Sequence, residues 1–279
     1  MIDNDYLINQ FCESMPDVVA DQLVFLTVSG SRAYGTARDD SDYDLVGVYI
    51  PYMKDLFPWK YGYAPEFYVP DPNQRVIYQS KLENMDCTAY SVAKFFSLLA
   101  QGNPNIVSVM FGPKESELYI DQSFVEALDM RKMFLSQRIV PRFIGYAASM
   151  MCKAYKPVRE SRQKFLSQDG KYECKFMVNL VRLGLECEQL LMNQTLDYPA
   201  MAHILKSILG GTYPRSWFDE WFEFQKERIG ALVYTLPENP DYEKLTVLLW
   251  HVYEEFLGPL DVNVGLAEER SGWYEAYYK

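Results

Sequence analysis

A mixed α/β domain followed by an all-helical domain is the fold this sequence predicts, and three observations predict it. The runs that read as strands all lie ahead of Ser91. Beyond about residue 120 every apolar pattern follows helical spacing. Between the two lies the loop-like segment GPKESE. The first domain is therefore assigned to residues 1–120, a mixed sheet flanked by helices, and the helical domain to 121–279.

In chain order, Asp5 to Met15 reads as an opening helix with Leu7, Phe11 and Met15 on one stripe. Leu23 to Val28 (LVFLTV) lacks polar alternation, as befits a strand buried on both faces. Asp44 to Ile50, Arg75 to Lys81 and Asn84 to Ala89 complete an expected set of four strands. Pro51 to Asn73, interrupted by Pro58, Pro70 and Pro72, reads as an irregular stretch over the sheet or the site. Ser91 is the expected N-cap of a helix that buries Val92, Phe95, Phe96 and Leu99 and ends at Gly102 and Pro104. Three later stripes mark core-facing helices: Phe176, Leu180, Leu183, Cys187 and Leu190; Trp217, Trp221 and Phe224; Leu245, Leu248, Leu249, Val252 and Phe256.

Composition narrows the function classes. With 49% hydrophobic residues in 279, a sizeable core is expected and disorder is not. No apolar run approaches the ~18 residues of a membrane span, and the acidic N-terminus has no signal-like core, so a soluble cytoplasmic protein is expected. Five scattered cysteines read as reduced, mostly buried thiols, and two histidines make a Cys/His zinc site a poor expectation. The net charge of −11 argues against broad nucleic-acid binding. Yet Arg131 to Arg182 carries twelve Lys/Arg against three Asp/Glu. That segment is either a face for polyphosphate or nucleic acid, or a solvated helical surface.

The chemistry concentrates in Ser29 to Ile50, SGSRAYGTARDDSDYDLVGVYI. Asp42 and Asp44, two residues apart, project to the same side of an extended chain. Paired carboxylates at a strand end provide hard oxygen ligands for Mg²⁺ while leaving coordination positions for phosphates. A third carboxylate on a neighbouring strand would complete a two-metal arrangement, and Asp86 is the candidate. By spacing alone Asp86 reads rather as a surface or turn aspartate, and the pair could be a solvated strand end. Gly30 lets backbone approach a phosphate closely, and Ser31 adds a hydroxyl and an N–H.

Taken together, the buried strand, the Gly-Ser turn and the Asp-x-Asp strand resemble the G-S-x(n)-D-h-D signature of the nucleotidyltransferases related to DNA polymerase β. GSRAYG followed by SDYD is similar to the branch of predicted nucleotidyltransferases associated with RNA repair. The likeness extends to Asp86, to Lys94-Phe95 and to Asn103-Pro104. A K-x-x-x-H-x-x-R helix of that branch is similar to Lys175 through Arg182, giving a coverage of roughly 20–195. Asn179 stands where the branch has histidine, and Ser108 where it has an acid.

The resemblance implies an enzyme that moves an NMP from an NTP to an acceptor hydroxyl with release of pyrophosphate. Its implied cofactor is Mg²⁺ or Mn²⁺, held by Asp42, Asp44 and Asp86, and its implied acceptor an RNA or tRNA. Gly30, Ser31, Arg32, Lys175 and Arg182 are the expected nucleotide-binding residues. For Arg32 the other reading is a cap on the turn. For Lys175, Asn179, Arg182 and Glu186, at helical spacing, it is a solvated face with an i, i+4 ion pair. Two further classes stay open: a nucleotide-binding regulatory module without turnover, and a protein-modifying (AMPylating) nucleotidyltransferase.

Overall fold

The computed structural model describes residues 3–52, 77–157 and 160–258. Helices α1 (Asn4–Glu13) and α2 (Asp17–Asp21) lead into strand β1 (Leu23–Ser29), the short helix α3 (Gly30–Ala33) and strand β2 (Tyr43–Tyr49). A hairpin, β3 (Ile77–Leu82) and β4 (Met85–Ser91), precedes α4 (Val92–Ala100), α5 (Pro104–Met110) and strand β5 (Glu117–Ile120). The described chain is helical from there: α6 (Gln122–Asp129), α7 (Ile139–Ala154), α8 (Cys174–Asn193), α9 (Tyr198–Leu209), α10 (Arg215–Leu232) and α11 (Tyr242–Leu257), with short 3₁₀ turns between.

The strands form one mixed sheet in the order β3-β4-β2-β1-β5, in which β2 and β4 run parallel and every other pair is antiparallel. Strand alternation divides its residues between two faces. Leu45, Tyr49, Met85, Cys87 and Ala89 pack under α1 and α2 against Leu7, Phe11, Met15 and Val19. Gly47 permits that close approach, since a Cβ there would stand 2.5 Å from the Phe11 ring. On the opposite face Phe25 stacks on Phe124 of α6 at 5.2 Å, joining a second core that runs through Phe95, Phe134, Phe143, Leu180 and Phe218 to Val252 of α11. Sheet and helices thus share one continuous core. Asp44 of β2 and Asp86 of β4 have the parity of this second face, and so turn toward the helices.

The mixed sheet followed by helices agrees with the sequence, with local differences. There is a fifth strand, β5, which is not among the four expected from the sequence and starts at the last residue of the loop-like GPKESE segment. It is a four-residue edge strand whose Tyr119 and Ile120 are exposed, too short to display a period. Ser91 caps α4 through Lys94 N–H, as its position suggests. The Asn103-Pro104 turn also opens a new helix, with Asn103 as N-cap and Pro104 in its first turn. In α10 the buried stripe is Phe218, Phe222 and Ile229; Trp217 and Trp221 flank it, and Phe224 faces solvent. Of the stretch Pro51 to Asn73 only Pro51 and Tyr52 fall among the described residues, as do Ile77 to Lys81 of the predicted third strand. No described cysteine is paired, and three of the five are buried. No described helix is long and apolar enough to cross a membrane.

Candidate active site

Between the helix-facing side of the sheet and the N-terminal half of α8 lies a cavity of 780 Å³. Gly30, Ser31, Asp42, Asp44, Asp86, Lys175 and Arg182 all line it. Those residues span 152 positions of chain, and the fold gathers them by three devices.

The parallel register is the first. Asp44 pairs directly with Asp86 across β2 and β4, so both carboxylates leave the sheet on the same face from strands ~4.8 Å apart. Asp42 approaches from the loop just before β2. Burial raises the Asp44 pKa above the ordinary carboxylate range, and the neighbouring charges of Asp86 and Asp42 raise it further. Asp86 is engaged by Lys81, its cross-strand partner on β3, at 2.9 Å.

The Gly30 turn is the second. Gly30 has φ +66°, in the left-handed region, and a Cβ there would stand 1.8 Å from Asp44 Oδ2. Only glycine lets the turn close against this carboxylate. Beyond it the loop folds back on itself: Thr36 N–H donates to Ser31 O at 2.8 Å and Ser41 N–H to Arg38 O at 3.0 Å. Arg32 takes part in this bracing. Its Nη2 donates to the Ser41 carbonyl and its guanidinium lies over the Tyr43 ring, 3.7 Å from the centroid. Arg32 is the one predicted site residue that does not line the cavity.

The third is α8, whose face runs from the cleft into the core. Lys175 at its start is exposed, Asn179 half-buried, Arg182 only 4% exposed and Glu186 fully buried. Although Lys175 remains exposed, partial desolvation in the cleft lowers its pKa, helped by the positive charges of Arg162, Lys164 and Arg38, while Asp42 opposes the shift. Lys175 Nζ sits 4.0 Å from the Phe165 ring centroid. Lys164 reaches Asp40 at 3.4 Å across the cleft. One wall of the cavity is thus carboxylate and the other cationic. Arg38, Lys164 and Phe165 went unread in the sequence, although Lys164 belongs to the basic segment and Arg38 to the quoted loop.

Deeper in, Arg182 Nη1 donates to both Glu186 oxygens at 2.7 and 2.8 Å. Burial opposes its charge, but Glu186, Tyr34 and Tyr198 together outweigh burial and raise its pKa above the usual arginine range. Asn179 Oδ1 accepts from Arg182 Nε and Nη2, and Asn179 Nδ2 donates to the Lys175 carbonyl. Ser108, where an acid was expected, donates to Glu186 Oε2 at 2.9 Å.

The donor chemistry of the carboxylate wall fits a hard divalent cation: oxygen ligands only, mutually repelling, with one pKa raised by burial and further by its neighbours. Among the described residues no three His, Cys, Asp or Glu side chains converge on one point as they stand.

A glycine turn closed on one acidic strand, with a second acidic strand parallel to it, is the arrangement of the polymerase β-like nucleotidyltransferase class. Residues 9–213 match the family described as the RNA repair pathway DNA polymerase beta family, and the chain belongs to that family. It is also 27% identical over 128 residues to an uncharacterized 38.9 kDa protein in the nrdC-mobD intergenic region of Enterobacteria phage T4. That match covers 44% of this chain and 36% of the phage protein, so the chain spans about a third of that relative's length. A nucleotidyltransferase-like protein from Exiguobacterium sibiricum 255-15 aligns over 88% of this chain and 74% of its own, at 10% identity and a TM-score of 0.28.

Proposed function

We propose that the protein is a divalent-metal-dependent nucleotidyltransferase that moves an NMP from an NTP to an acceptor hydroxyl on RNA or tRNA. The register of Asp44 against Asp86, in a cleft shared with Lys175, is the observation that carries this reading. Asp42, Asp44 and Asp86 are assigned as oxygen ligands for Mg²⁺ or Mn²⁺. When bound, the ion supplies charge stabilisation to the transferring phosphoryl group. The Gly30-Ser31 turn is assigned to cradle the phosphates at close backbone approach. Lys175 supplies a charge-assisted donor to the triphosphate tail. The acceptor hydroxyl releases its proton to water as its oxygen attacks the α-phosphorus in line, the bond from that phosphorus to the oxygen bridging to the β-phosphorus breaks, and pyrophosphate leaves. Residues 1–120 are assigned as the catalytic domain, and 121–279 as the domain that supplies Lys175 and closes over the cleft. The cationic wall and the family's RNA repair description favour RNA as acceptor. The enzyme is expected to work in the cytoplasm.

Incubation with each of four labelled NTPs, Mg²⁺ and total RNA, beside a protein-only control, tests this. Label on RNA is expected. Label on the protein itself would indicate an AMPylating enzyme instead. Asp42→Asn should keep the fold and lose nearly all transfer, since metal assistance is worth several kcal/mol (roughly) of barrier. Undiminished Mg²⁺-dependent transfer by that variant would sink the assignment.

One observation favours a second reading, a nucleotide-binding module without turnover. Asn179 offers no titratable proton where the branch has histidine, and both ends of its side chain are engaged. Tight NTP binding without pyrophosphate release, under Mg²⁺ or Mn²⁺ and across acceptors, would support it.

A further inference from the structure

We infer that Tyr34 is a positioning residue for the Gly30 turn, held by the buried Arg182–Glu186 pair, and that Arg182 therefore serves the site without touching phosphate. The inference rests on the nucleotidyltransferase reading above.

Arg182 and Glu186 are 4% and 0% exposed. Ions so buried persist only when their remaining hydrogen-bonding capacity is met. Here it is. Glu186 accepts two hydrogen bonds from Arg182 Nη1, a third from Ser108 and a fourth from the Tyr198 hydroxyl at 3.0 Å. Arg182 also donates to Ser108 and twice to Asn179. With its in-plane donors so engaged, the guanidinium presents a flat face. Tyr34 covers that face, with Arg182 Cζ 4.3 Å from its ring centroid. Tyr198 meets the same ring at 5.1 Å. Tyr34 is thereby clamped between two groups that Glu186 holds.

Tyr34 in turn holds the turn. Its hydroxyl reaches the Ser29 side chain, and its N–H donates to the Gly30 carbonyl at 3.1 Å. Gly30 is the residue that closes on Asp44 Oδ2. A continuous set of contacts therefore runs from Glu186 in the core to a carboxylate of the site. For Arg182 to reach a phosphate it would have to leave Glu186 buried and unpaired. Lys175, Lys164 and Arg38 line the same cavity and are more exposed, so they can meet a phosphate with no such disruption.

The test compares the full chain with Tyr34→Ala, Tyr34→Phe and Arg182→Lys. Steady-state transfer is measured with the NTP and acceptor found in the labelled screen, and Mn²⁺ binding by EPR without nucleotide. Tyr34→Ala should lower kcat ~10–100-fold while KM for NTP stays within ~3-fold, the signature of a lost positioning contact. Tyr34→Phe, which keeps the ring on Arg182 but loses the hydroxyl at Ser29, should recover only part of that loss, and Arg182→Lys should follow Tyr34→Ala. An Arg182→Lys enzyme with raised KM for NTP and unchanged kcat overturns the inference, as does a Tyr34→Ala enzyme that transfers like wild type. Should Tyr34→Ala not fold, Arg182→Lys carries the comparison.

If the wild type transfers from no NTP, the enzymatic reading fails and the Mn²⁺ arm decides the inference. A loss of Mn²⁺ affinity of ~5-fold or more in Tyr34→Ala, or in Arg182→Lys if that variant alone folds, upholds positioning through an outer contact. An unchanged isotherm overturns it. A wild-type protein that binds no Mn²⁺ overturns both readings.

Discussion

Gly30 and Asp44 form a single unit: the backbone of one closes so tightly on the carboxylate of the other that a Cβ would stand 1.8 Å from Oδ2. The turn adopts φ +66° to achieve this. Conformational freedom and close approach are thus demanded at the same residue, beside the raised-pKa carboxylate of the site.

Gly30→Ala should be costly on both counts. The left-handed conformation and the displaced Asp44 side chain together should cost about 1–3 kcal/mol in denaturant melts. Transfer should fall by more than ~100-fold, because ~1 Å of misplacement at a reacting site is costly. A variant with near-wild-type transfer would show that the turn does not shape the site.

Asp44→Asn should separate stability from activity. Burial and two neighbouring carboxylates oppose Asp44 ionisation, so a neutral isostere relieves repulsion in the metal-free protein. A rise in Tm of a few °C is expected, of the size that ~1 kcal/mol produces, together with loss of transfer. A fall in Tm would mean that the ionised carboxylate contributes to folding.

Lys175 should make NTP binding sensitive to alkaline pH. Its folded pKa lies below 10.5, so the folded state binds fewer protons than the unfolded chain between the two values. The folding cost of its charge is fully present below the folded pKa and lifts as pH rises through it. NTP affinity has the opposite dependence, weakening as the ammonium deprotonates. Lys175→Arg, charged throughout, should bind NTP with no such decline, which isothermal titration across pH 7–11 (about the accessible range) would read.

The buried pair predicts a contrast between single and double variants. Arg182→Ala leaves Glu186 uncompensated and should cost ~3–5 kcal/mol. Replacing both, as Arg182→Met with Glu186→Gln, should recover a large part of that loss, since no charge is then stranded. Equal destabilisation by the single and double variants would place the cost in packing instead.

Much of the candidate site was legible because its residues are close in sequence. Gly30, Ser31, Asp42 and Asp44 fall within fifteen residues, and a strand's two-residue period is enough to align the pair. Asp86 was ambiguous in sequence because only the parallel pairing of β4 with β2 sets it opposite Asp44. Arg32 reads in sequence as a phosphate contact or a turn cap, and only the fold shows its guanidinium over the Tyr43 ring and bonded to the Ser41 carbonyl. Tyr34 lay in plain view within GSRAYG, but nothing local indicates that an arginine 148 positions later will cover its ring.

By itself the sequence determined the order of elements, the glycine turn, the Asp-x-Asp strand and the helical remainder, because period, capping and turn chemistry act over a few residues. The tertiary structure decided which strand neighbours which, and it built a cationic wall opposite the carboxylates. It also decided that α8 runs from the cleft into the core, so that Lys175 faces the cavity while Arg182 is paired inside. Helical spacing puts those two residues on one face. Burial, which varies along the helix axis as neighbouring elements close over it, distinguishes them.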